Sequence, residues 1–416
     1  MSRDRAEQLK PTLKAVAARM LPPVTPIGFP AATDIDFSLI APLSPGTLNN
    51  IGDPTVPGLE HRNVKDLERE VVGILAEWFQ APRQDRWGCV TTGGTEGNLY
   101  GLYLARTALP NGVVYFAETA HYSVAKAAHL LGLPAVRVPT RNGGELDYQE
   151  LAERVNTHRH RPAIVVATVG TTMTEAVDNV AAIKVSLDRV GIPDDRRYVH
   201  VDAALTGIPL VLLHGTHPSV NLSEVGHVDS LTISGHKFLA TPEPCGVLIT
   251  RRRHRDRVAR NVSYIGGVDA TIAGSRSGHT VLQLWWALRS LDRPDHQRRA
   301  ERARAVAAHT VRRLTEAGWA AWRHKHAFTV VMKAPSPAMI QRWALATHGE
   351  WSHIVCVPGV TTEVIDRFVD ELVAEQRNEY QPAAPARAAR RRWWQRQRVE
   401  HVGWPAAPHT GLPPVG

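Results

Sequence analysis

The 416-residue sequence predicts an α/β protein, with a large domain built on a mostly parallel sheet and a smaller α+β domain after it. Two observations carry this prediction. Between residues 87 and 235, short apolar segments alternate with segments of helical periodicity, which is typical of parallel strands covered by helices on both faces. After about Gly278 the alternation stops, and a long helical stretch leads into two further strands and a last helix.

Each element is predicted from its own pattern. The first strongly periodic helix covers residues 63–79, where Leu67, Val71, Leu75 and Trp78 recur every three or four residues. An earlier helix is expected within the first twenty residues. The other predicted helices cover 98–107, 123–132, 180–191, 280–318 and 362–376, and the predicted strands cover 87–92, 113–118, 135–140, 163–170, 198–204, 230–235, 327–334 and 353–360.

Changes in pattern divide the chain into four parts. Residues 1–60 form an N-terminal segment that is irregular after its first helix, and residues 61–278 form the large domain. Residues 279–378 form the small C-terminal domain, and residues 379–416 form a basic tail rich in proline, alanine and arginine. The tail from residue 381 carries six arginines against Glu400, which favours a solvated tail over one that binds nucleic acid or an anionic surface.

Composition indicates a globular protein with a sizeable core, since 43% of residues are hydrophobic and 21% are charged. No apolar run approaches the roughly 18 residues of a membrane span, and the N-terminus lacks the apolar core of a signal peptide. The three cysteines, Cys89, Cys245 and Cys356, form no CxxC pair, so we expect neither a metal site nor disulfides. We therefore expect a cytoplasmic protein.

The segment Thr92-Gly93-Gly94-Thr95-Glu96-Gly97-Asn98 follows a predicted strand and opens a helix. Glycines let the backbone approach an anion, and a helix N-terminus offers unpaired N–H groups, so a phosphate is a natural ligand. A plain structural turn is the alternative. The segment has neither the Walker ending nor the spacing of a dinucleotide fingerprint.

Two further residues follow buried strands. Asp202 ends the strand of Val-His-Val-Asp and could hold a protonated ring nitrogen, although an N-cap is the alternative. Lys237 follows another strand and could form a Schiff base, although a surface lysine is the alternative. Together with the phosphate turn, they supply the three groups that pyridoxal 5′-phosphate requires: an anion cradle, a partner for the pyridine nitrogen and an imine-forming lysine.

The motifs GGTEGN, HYSVAKAA, SGHKFLATPEPCGVLITR, RNVSYIGGVDATIAGSRSGH and HIVCVPGVT resemble those of the pyridoxal-phosphate-dependent group II amino-acid decarboxylases. The resemblance runs from about Asp34 to Leu372 and is greatest to the histidine decarboxylase and serine decarboxylase subgroup. It implies fold type I (aspartate aminotransferase-like) architecture and a homodimer, or a larger assembly, with active sites at the subunit interface. It also implies decarboxylation of a small L-amino acid, histidine or serine.

The resemblance also assigns residues. Lys237 matches the Schiff-base lysine, Asp202 the partner of the pyridine nitrogen, His121 the histidine that stacks on the cofactor, and Tyr264 a catalytic tyrosine on a mobile loop. Packing is the alternative role for Tyr264. The phosphate-side positions are Gly94, Thr95, Ser234 and His236, and the N-terminal strip that lines the substrate pocket and the dimer interface includes Asn49 and Asn50.

The chain departs from the family pattern in two places. Ser277 stands where the family often has asparagine, and Ala327, followed by Phe328, stands where a serine is usual. If residue 327 borders the substrate, a polar contact is missing, which leaves room for an aliphatic substrate such as valine or leucine. Two alternatives of other kinds remain: an aminotransferase or aldolase of the same fold, and a non-catalytic relative that acts through its basic tail.

Overall fold

The computed structural model describes residues 3–20, 25–214, 217–223 and 227–378. The predicted basic tail, residues 379–416, lies outside the described residues.

Helices account for much of the described chain. They are α1 (Arg3–Met20), α2 (Lys65–Trp78), α3 (Gly94–Ala108), α4 (Tyr122–Leu130), α5 (Tyr148–Thr157), α6 (Val180–Arg189), α7 (Gly207–His214), α8 (Arg252–Val258), α9 (Gly278–Arg289), α10 (Arg293–Glu316), α11 (Pro337–Trp343) and α12 (Thr362–Asn378). Short 3-10 turns cover Ala41–Leu43, Asp194–Arg196, Pro218–Val220 and Ser263–Ile265.

The strands are β1 (Asn49–Ile51), β2 (Arg86–Thr91), β3 (Val113–Ala117), β4 (Ala135–Val138), β5 (Ala163–Thr168), β6 (Arg197–Asp202), β7 (Ser230–Ser234), β8 (Gly246–Arg251), β9 (Arg260–Val262), β10 (Gly267–Asp269), β11 (Ser275–Ser277), β12 (Ala321–Trp322), β13 (Thr329–Lys333), β14 (Ala346–His348) and β15 (Trp351–Val355).

A seven-stranded sheet in the order β2-β8-β7-β6-β5-β3-β4 forms the centre of the molecule. Strand β8 is antiparallel to both of its neighbours, and the remaining strands run parallel to one another. Strands β3, β5, β7 and β8 are buried along their whole length, as expected for a sheet with helices on both faces. The predicted α/β class with a mostly parallel sheet is therefore confirmed.

A second, four-stranded antiparallel sheet has the order β12-β13-β15-β14. Its apolar side chains form a separate core with α10 and α12, and Ile27 and Ala32 of the N-terminal segment pack into that core. The predicted long helix 280–318 is interrupted at Ser290–Asp292. Asp292 caps α10 through a capping box with Asp295, so the chain starts a new helix there. The division of the chain into these four parts stays a prediction.

The N-terminal segment pairs with β11 through β1, and these two strands form a small sheet separate from the large one. Behind this pair, the buried Glu68 carboxylate accepts hydrogen bonds from Asn50 Nδ2 at 2.8 Å and from the backbone of Val90 at 2.8 Å, and it pairs with Arg276. A buried charge is tolerated when it is paired and hydrogen-bonded in this way. The pair β9-β10 lies nearby and carries the 3-10 turn Ser263–Ile265 at its tip.

Among the described helices, none combines the length and the apolar character needed to cross a bilayer. No cluster of potential metal ligands occurs in the part of the chain that the structure describes. Cys89, Cys245 and Cys356 are buried free thiols.

Candidate active site

A cavity of about 500 Å³ opens at the carboxyl ends of the parallel strands. This is the edge of an α/β sheet at which ligands usually bind, because the following loops and helix N-termini converge there. Seven of the predicted site residues line the cavity, namely Gly94, Thr95, His121, Asp202, Ser234, His236 and Lys237. The fold thus brings together residues that lie far apart in the sequence, such as Gly94 and Lys237.

The first turn of α3 forms one end of the cavity. Gly93 precedes this helix with a φ of 154°, a backbone conformation that favours glycine. A Cβ atom on Gly94 would lie 2.9 Å from the Ser234 hydroxyl, so the glycine allows the helix N-terminus to approach β7 closely. The unpaired N–H groups of a first helical turn, with Ser234 beside them, are suited to bind a phosphate.

Asp202 is the last residue of β6 and is 5% exposed. One carboxylate oxygen accepts a hydrogen bond from Asn98 Nδ2 at 2.7 Å, and the other accepts from the backbone of Ala204 at 3.1 Å. Both donors are neutral, so they stabilise the ionised carboxylate without cancelling its charge. The carboxylate can therefore bind a cationic ring nitrogen in the cavity.

Lys237 follows β7 by three residues and lines the same cavity. Burial lowers the pKa of its amine below the usual value, and the Asp202 charge offsets part of that shift. A larger fraction of neutral amine results, which is the form that attacks a carbonyl carbon.

His121 caps the N-terminus of α4, where its Nδ1 accepts from the backbone of Ser123 at 3.3 Å. Burial lowers its pKa, while Asp202 acts in the opposite direction. Burial also lowers the pKa of His236, whose Nδ1 lies 3.1 Å from the backbone oxygen and 3.2 Å from the backbone nitrogen of Cys245. Both imidazoles are thus favoured in the neutral form at the cavity wall.

Among the cavity residues to which the sequence assigned no role of their own, two lie beside Asp202. Asn98, at the end of the glycine-rich segment, bonds to Asp202, and Thr168 ends β5 directly beside Asp202 in the sheet register. The Thr168 hydroxyl is buried and has no hydrogen-bond partner among the described residues. Its position at a strand end, one strand away from Asp202, was the available signal.

Three predicted residues lie away from this cavity. Tyr264 is 85% exposed and borders a different cavity of about 350 Å³, beside Leu59 and Ile265. Asn50 is fully buried and bonded to Glu68, and Asn49 lies 3.4 Å from Ser275 through its amide nitrogen. The structure therefore separates these three side chains from the seven that line the large cavity.

The departures at residues 327 and 328 also lie away from the cavity. Ala327 and Phe328 are both 2% exposed, and Phe328 packs in the core of the small sheet. Since neither residue borders the cavity, the reasoning that linked them to an aliphatic substrate loses its structural basis.

The residues present fit pyridoxal 5′-phosphate. The cavity combines an anion cradle, a buried carboxylate that can pair with a ring nitrogen, a lysine of lowered pKa and an unpaired buried hydroxyl. Fold and cavity together define a pyridoxal-phosphate-dependent enzyme of fold type I.

Comparisons with known proteins identify the family. Residues 49–331 match the family described as the pyridoxal-dependent decarboxylase conserved domain. The chain is 39% identical to the histidine decarboxylase of Pseudomonas entomophila over 85% of this chain and 88% of that protein. It is 41% identical to the histidine decarboxylase of Mesorhizobium japonicum over 83% of this chain and 92% of that protein.

Among solved structures, an L-methionine decarboxylase from Streptomyces sp. 590 is similar, with a TM-score of 0.78 and 26% identity over 90% of this chain and 96% of that one. The chain belongs to the pyridoxal-dependent decarboxylase family. It is a carboxy-lyase that uses pyridoxal 5′-phosphate.

Proposed function

We propose that the chain decarboxylates L-histidine to histamine and CO2. The observation that carries this proposal is the identity of 39% and 41% to two histidine decarboxylases, over 88% and 92% of their lengths. The overall reaction consumes one proton, because the C–C bond to the carboxylate breaks and a C–H bond forms at the same carbon. Serine, named by the resemblance to the wider subgroup, is the second candidate.

Lys237, Asp202 and His121 are the residues that we propose hold and orient the cofactor. Bound pyridoxal phosphate supplies an aromatic ring that accepts the electron pair left behind by departing CO2. Lys237 would bind the cofactor covalently through its amine. Asp202 would keep a proton on the pyridine nitrogen, since a buried carboxylate strongly favours an adjacent cation. His121, on the cavity wall, would stack on the ring.

The glycine-rich first turn of α3 binds the phosphate end in this proposal, together with Ser234 and His236. These groups lie on the side of the cavity formed by β2 and β7, whereas Asp202 lies at the end of β6. The phosphate end of the cofactor would be held by the first group and its ring nitrogen by Asp202, with Lys237 lining the same cavity as both.

The substrate proposal is tested by supplying the purified holoenzyme with histidine, serine, valine, leucine and methionine in separate reactions. Amine and CO2 are both measured. Histidine is expected to give the highest kcat/KM, with equal amounts of histamine and CO2. A higher kcat/KM for any other amino acid of the set would contradict the proposal, and keto-acid formation in place of CO2 would indicate an aminotransferase.

We also propose a homodimer in which Tyr264 and the strand that carries Asn49 belong to an interface that brings them to the cavity of the other subunit. The buried Asn50 anchors that strand to Glu68 of its own subunit. Support comes from exposed apolar side chains: Leu59 is 64% exposed beside Tyr264, and Tyr122, at the cavity wall, is 63% exposed. Apolar surface of this kind often marks a protein interface. Helix α1 also exposes Leu13 on its surface. The mass of the protein in solution, measured by light scattering, tests whether assembly continues beyond a dimer.

Mixed dimers test the role of Tyr264. A Lys237→Ala protomer and a Tyr264→Phe protomer are each expected to be impaired alone. If Tyr264 serves the cavity of the other subunit, co-refolded mixtures regain activity, because one site in each mixed dimer has both residues. Mixtures no more active than the two separate variants would contradict this arrangement, as would a monomeric mass in light scattering.

We infer a cytoplasmic location from the cysteines. All three are buried free thiols, which is the usual state of cysteine in a reducing compartment. Fractionation of the native host should recover the chain with cytoplasmic markers; recovery in an exported fraction would contradict this inference.

A further inference from the structure

A hydrogen-bonded network of buried polar side chains lies behind the cavity, with Asn98 at its centre. Asn98 is 1% exposed. Its Nδ2 lies 2.7 Å from Asp202 Oδ2 and 2.9 Å from Ser123 Oγ, and its Oδ1 lies 3.0 Å from His200 Nε2. Every polar atom of this side chain is therefore hydrogen-bonded.

The chemistry of the amide fixes the direction of each bond. The carboxylate of Asp202 can only accept, so the Asn98 nitrogen must face it, and the second N–H of the same nitrogen is donated to Ser123. The Asn98 oxygen must then accept from His200 Nε2. A flipped amide would set two acceptors against each other at 2.7 Å.

His200 is held neutral with its proton on Nε2. The ring is fully buried, and this burial lowers its pKa to about 4. Since Nε2 donates to Asn98, Nδ1 accepts from the Ser230 hydroxyl at 2.7 Å. His200 is thus a fixed hydrogen-bond donor toward Asn98, and it brings no charge of its own to the site.

On its other side, Asn98 is linked to His121 through Ser123. Because Ser123 Oγ accepts from Asn98, its own proton is available for His121 Nδ1, which lies 2.7 Å away. The Ser123 backbone N–H also points at Nδ1, at 3.3 Å, and it can only donate. Both contacts require a lone pair on Nδ1, so the neutral ring carries its proton on Nε2.

We propose that Asn98 is a positioning residue that holds the Asp202 carboxylate in its orientation at the cavity wall and, through Ser123, fixes the tautomer of His121. The proposal rests on the proposed roles of Asp202 and His121. One amide therefore positions both Asp202, which is proposed to pair with the ring nitrogen, and His121, which is proposed to stack on the ring. Hydrogen bonds to charged groups support an effect of about 10- to 100-fold on turnover.

Asn98→Asp tests the arm to Asp202. The substitution preserves the shape but places an acceptor in front of a carboxylate, and two adjacent carboxylates share a proton. We expect the visible absorption of the holoenzyme to titrate at a different pH from the wild type, and kcat to fall about 10- to 100-fold with little change in KM. A spectral titration and a kcat equal to those of the wild type would overturn the proposal.

Ser123→Ala tests the arm to His121, with Ser186→Ala as the matched control. Each change deletes one buried hydroxyl. Among the described residues, the Ser186 hydroxyl contacts only the backbone carbonyls of Tyr148 and Ala182. Loss of the Ser123 proton donor removes a contact that disfavours protonation of His121. The acidic limb of the pH–kcat profile is expected to move to higher pH in Ser123→Ala alone. An acidic limb at the same pH in all three proteins would overturn the proposed effect of Ser123 on His121.

The spectral titration needs no substrate, so it remains decisive whichever amino acid the enzyme accepts. A wild-type protein that gives a visible spectrum while Asn98→Asp leaves that spectrum unchanged refutes the inference and not the cofactor site. A wild-type protein that gives no visible spectrum with pyridoxal phosphate refutes both. A variant that only melts at lower temperature, with an unchanged spectrum, assigns Asn98 to stability and also refutes the inference.

Discussion

Asp202 illustrates how a single residue acquires a chemical role from its surroundings. Its side chain is almost completely buried, and a buried carboxylate needs hydrogen-bond partners. Two neutral donors, Asn98 Nδ2 and the backbone of Ala204, satisfy both oxygens and leave a negative charge at the cavity wall. That charge is suited to hold a proton on a heterocyclic nitrogen.

Replacing Asp202 by asparagine should test this electrostatic role with little effect on shape. The amide oxygen can still accept one of the two hydrogen bonds, so folding should be retained, but the negative charge is lost. We expect kcat to fall about 100- to 1,000-fold, the range seen when one preorganised electrostatic contact is removed. Turnover assays with saturating cofactor measure this, and kcat within twofold of the wild type would contradict the assignment.

The sequence allowed Lys237 and Asp202 to be predicted because each follows a strongly apolar strand and belongs to a distinctive motif. Asn98 and Thr168 could not be assigned roles in the same way. Their significance depends on contacts with residues on other strands: Asn98 reaches Asp202, 104 positions away, and Thr168 lies beside Asp202 only in the sheet register. Such contacts arise from tertiary packing, and local patterns do not encode them.

At the scale of elements, close packing of α3 on the sheet is what brings Asn98 to Asp202. Helix α3 presents Gly97 to the Thr232 side chain and Gly101 to the His200 ring. A Cβ atom at either position would overlap its neighbour, so these glycines set the separation between the helix and strands β6 and β7. Their cost in helix propensity is offset by the hydrogen bonds that the short separation permits.

Gly101→Ala should therefore destabilise the protein despite the higher helix propensity of alanine. We expect a loss of about 1–3 kcal/mol in the free energy of unfolding, as for other overpacked sites. Gly73→Ala in α2 is the matched control, because its Cβ would meet only the Arg86 guanidinium, at 3.5 Å. That change should stabilise by about 0.5–1 kcal/mol. Urea denaturation measures both, and equal effects of the two substitutions would contradict the packing argument.

The long elements of the two sheets were mostly predicted, whereas α5, α7, α8, α11 and the short strands β1, β9–β12 and β14 were not. Two further differences have clear physical causes. Strand β8 was not predicted, although Gly246–Arg251 begins with an apolar run. Successive parallel strands are normally separated by a helix, and β8 instead returns antiparallel to β7 without one. The interruption at Ser290–Asp292 was missed because helical periodicity continues on both sides. A capping box, which depends on Asp292 and Asp295, marks the break.

At the scale of the whole molecule, Glu175 joins the large sheet region to the small sheet. Its carboxylate accepts from the Thr206 hydroxyl at 3.0 Å and from the backbones of Phe328 and Thr329 at 3.1 and 2.7 Å. Full burial raises its pKa to about 7 from the usual 4.5. The native state thus binds this proton more tightly than the unfolded chain does.

The raised pKa gives a signed prediction for stability against pH. Below about pH 4.5 the carboxyl is protonated in both states, and as the pH rises to about 7 the unfolded chain ionises first, so the free energy of unfolding falls. Glu175→Gln should remove this part of the slope and gain about 1–3 kcal/mol relative to the wild type between pH 5 and pH 8. Thermal melts across that range measure it; parallel pH profiles would contradict the assignment.

Residues Tyr264, Asn49 and Asn50 show the limit of sequence reasoning at this scale. Their motifs predicted functional roles, but the chain alone does not bring them to the cavity that holds the other predicted residues. A second copy of the chain is required in the proposed dimer, and a single sequence contains no direct signal for which surfaces of two copies meet.

The covalent role of Lys237 is the central claim, and reductive trapping tests it most directly. Holoenzyme is treated with borohydride, digested and analysed by mass spectrometry, with Lys237→Ala as the control. We predict that the pyridoxyl phosphate adduct is found on the peptide that contains Lys237 and is absent from the variant. An adduct on another lysine, or no adduct in a protein that decarboxylates its substrate, would contradict the assignment of this site.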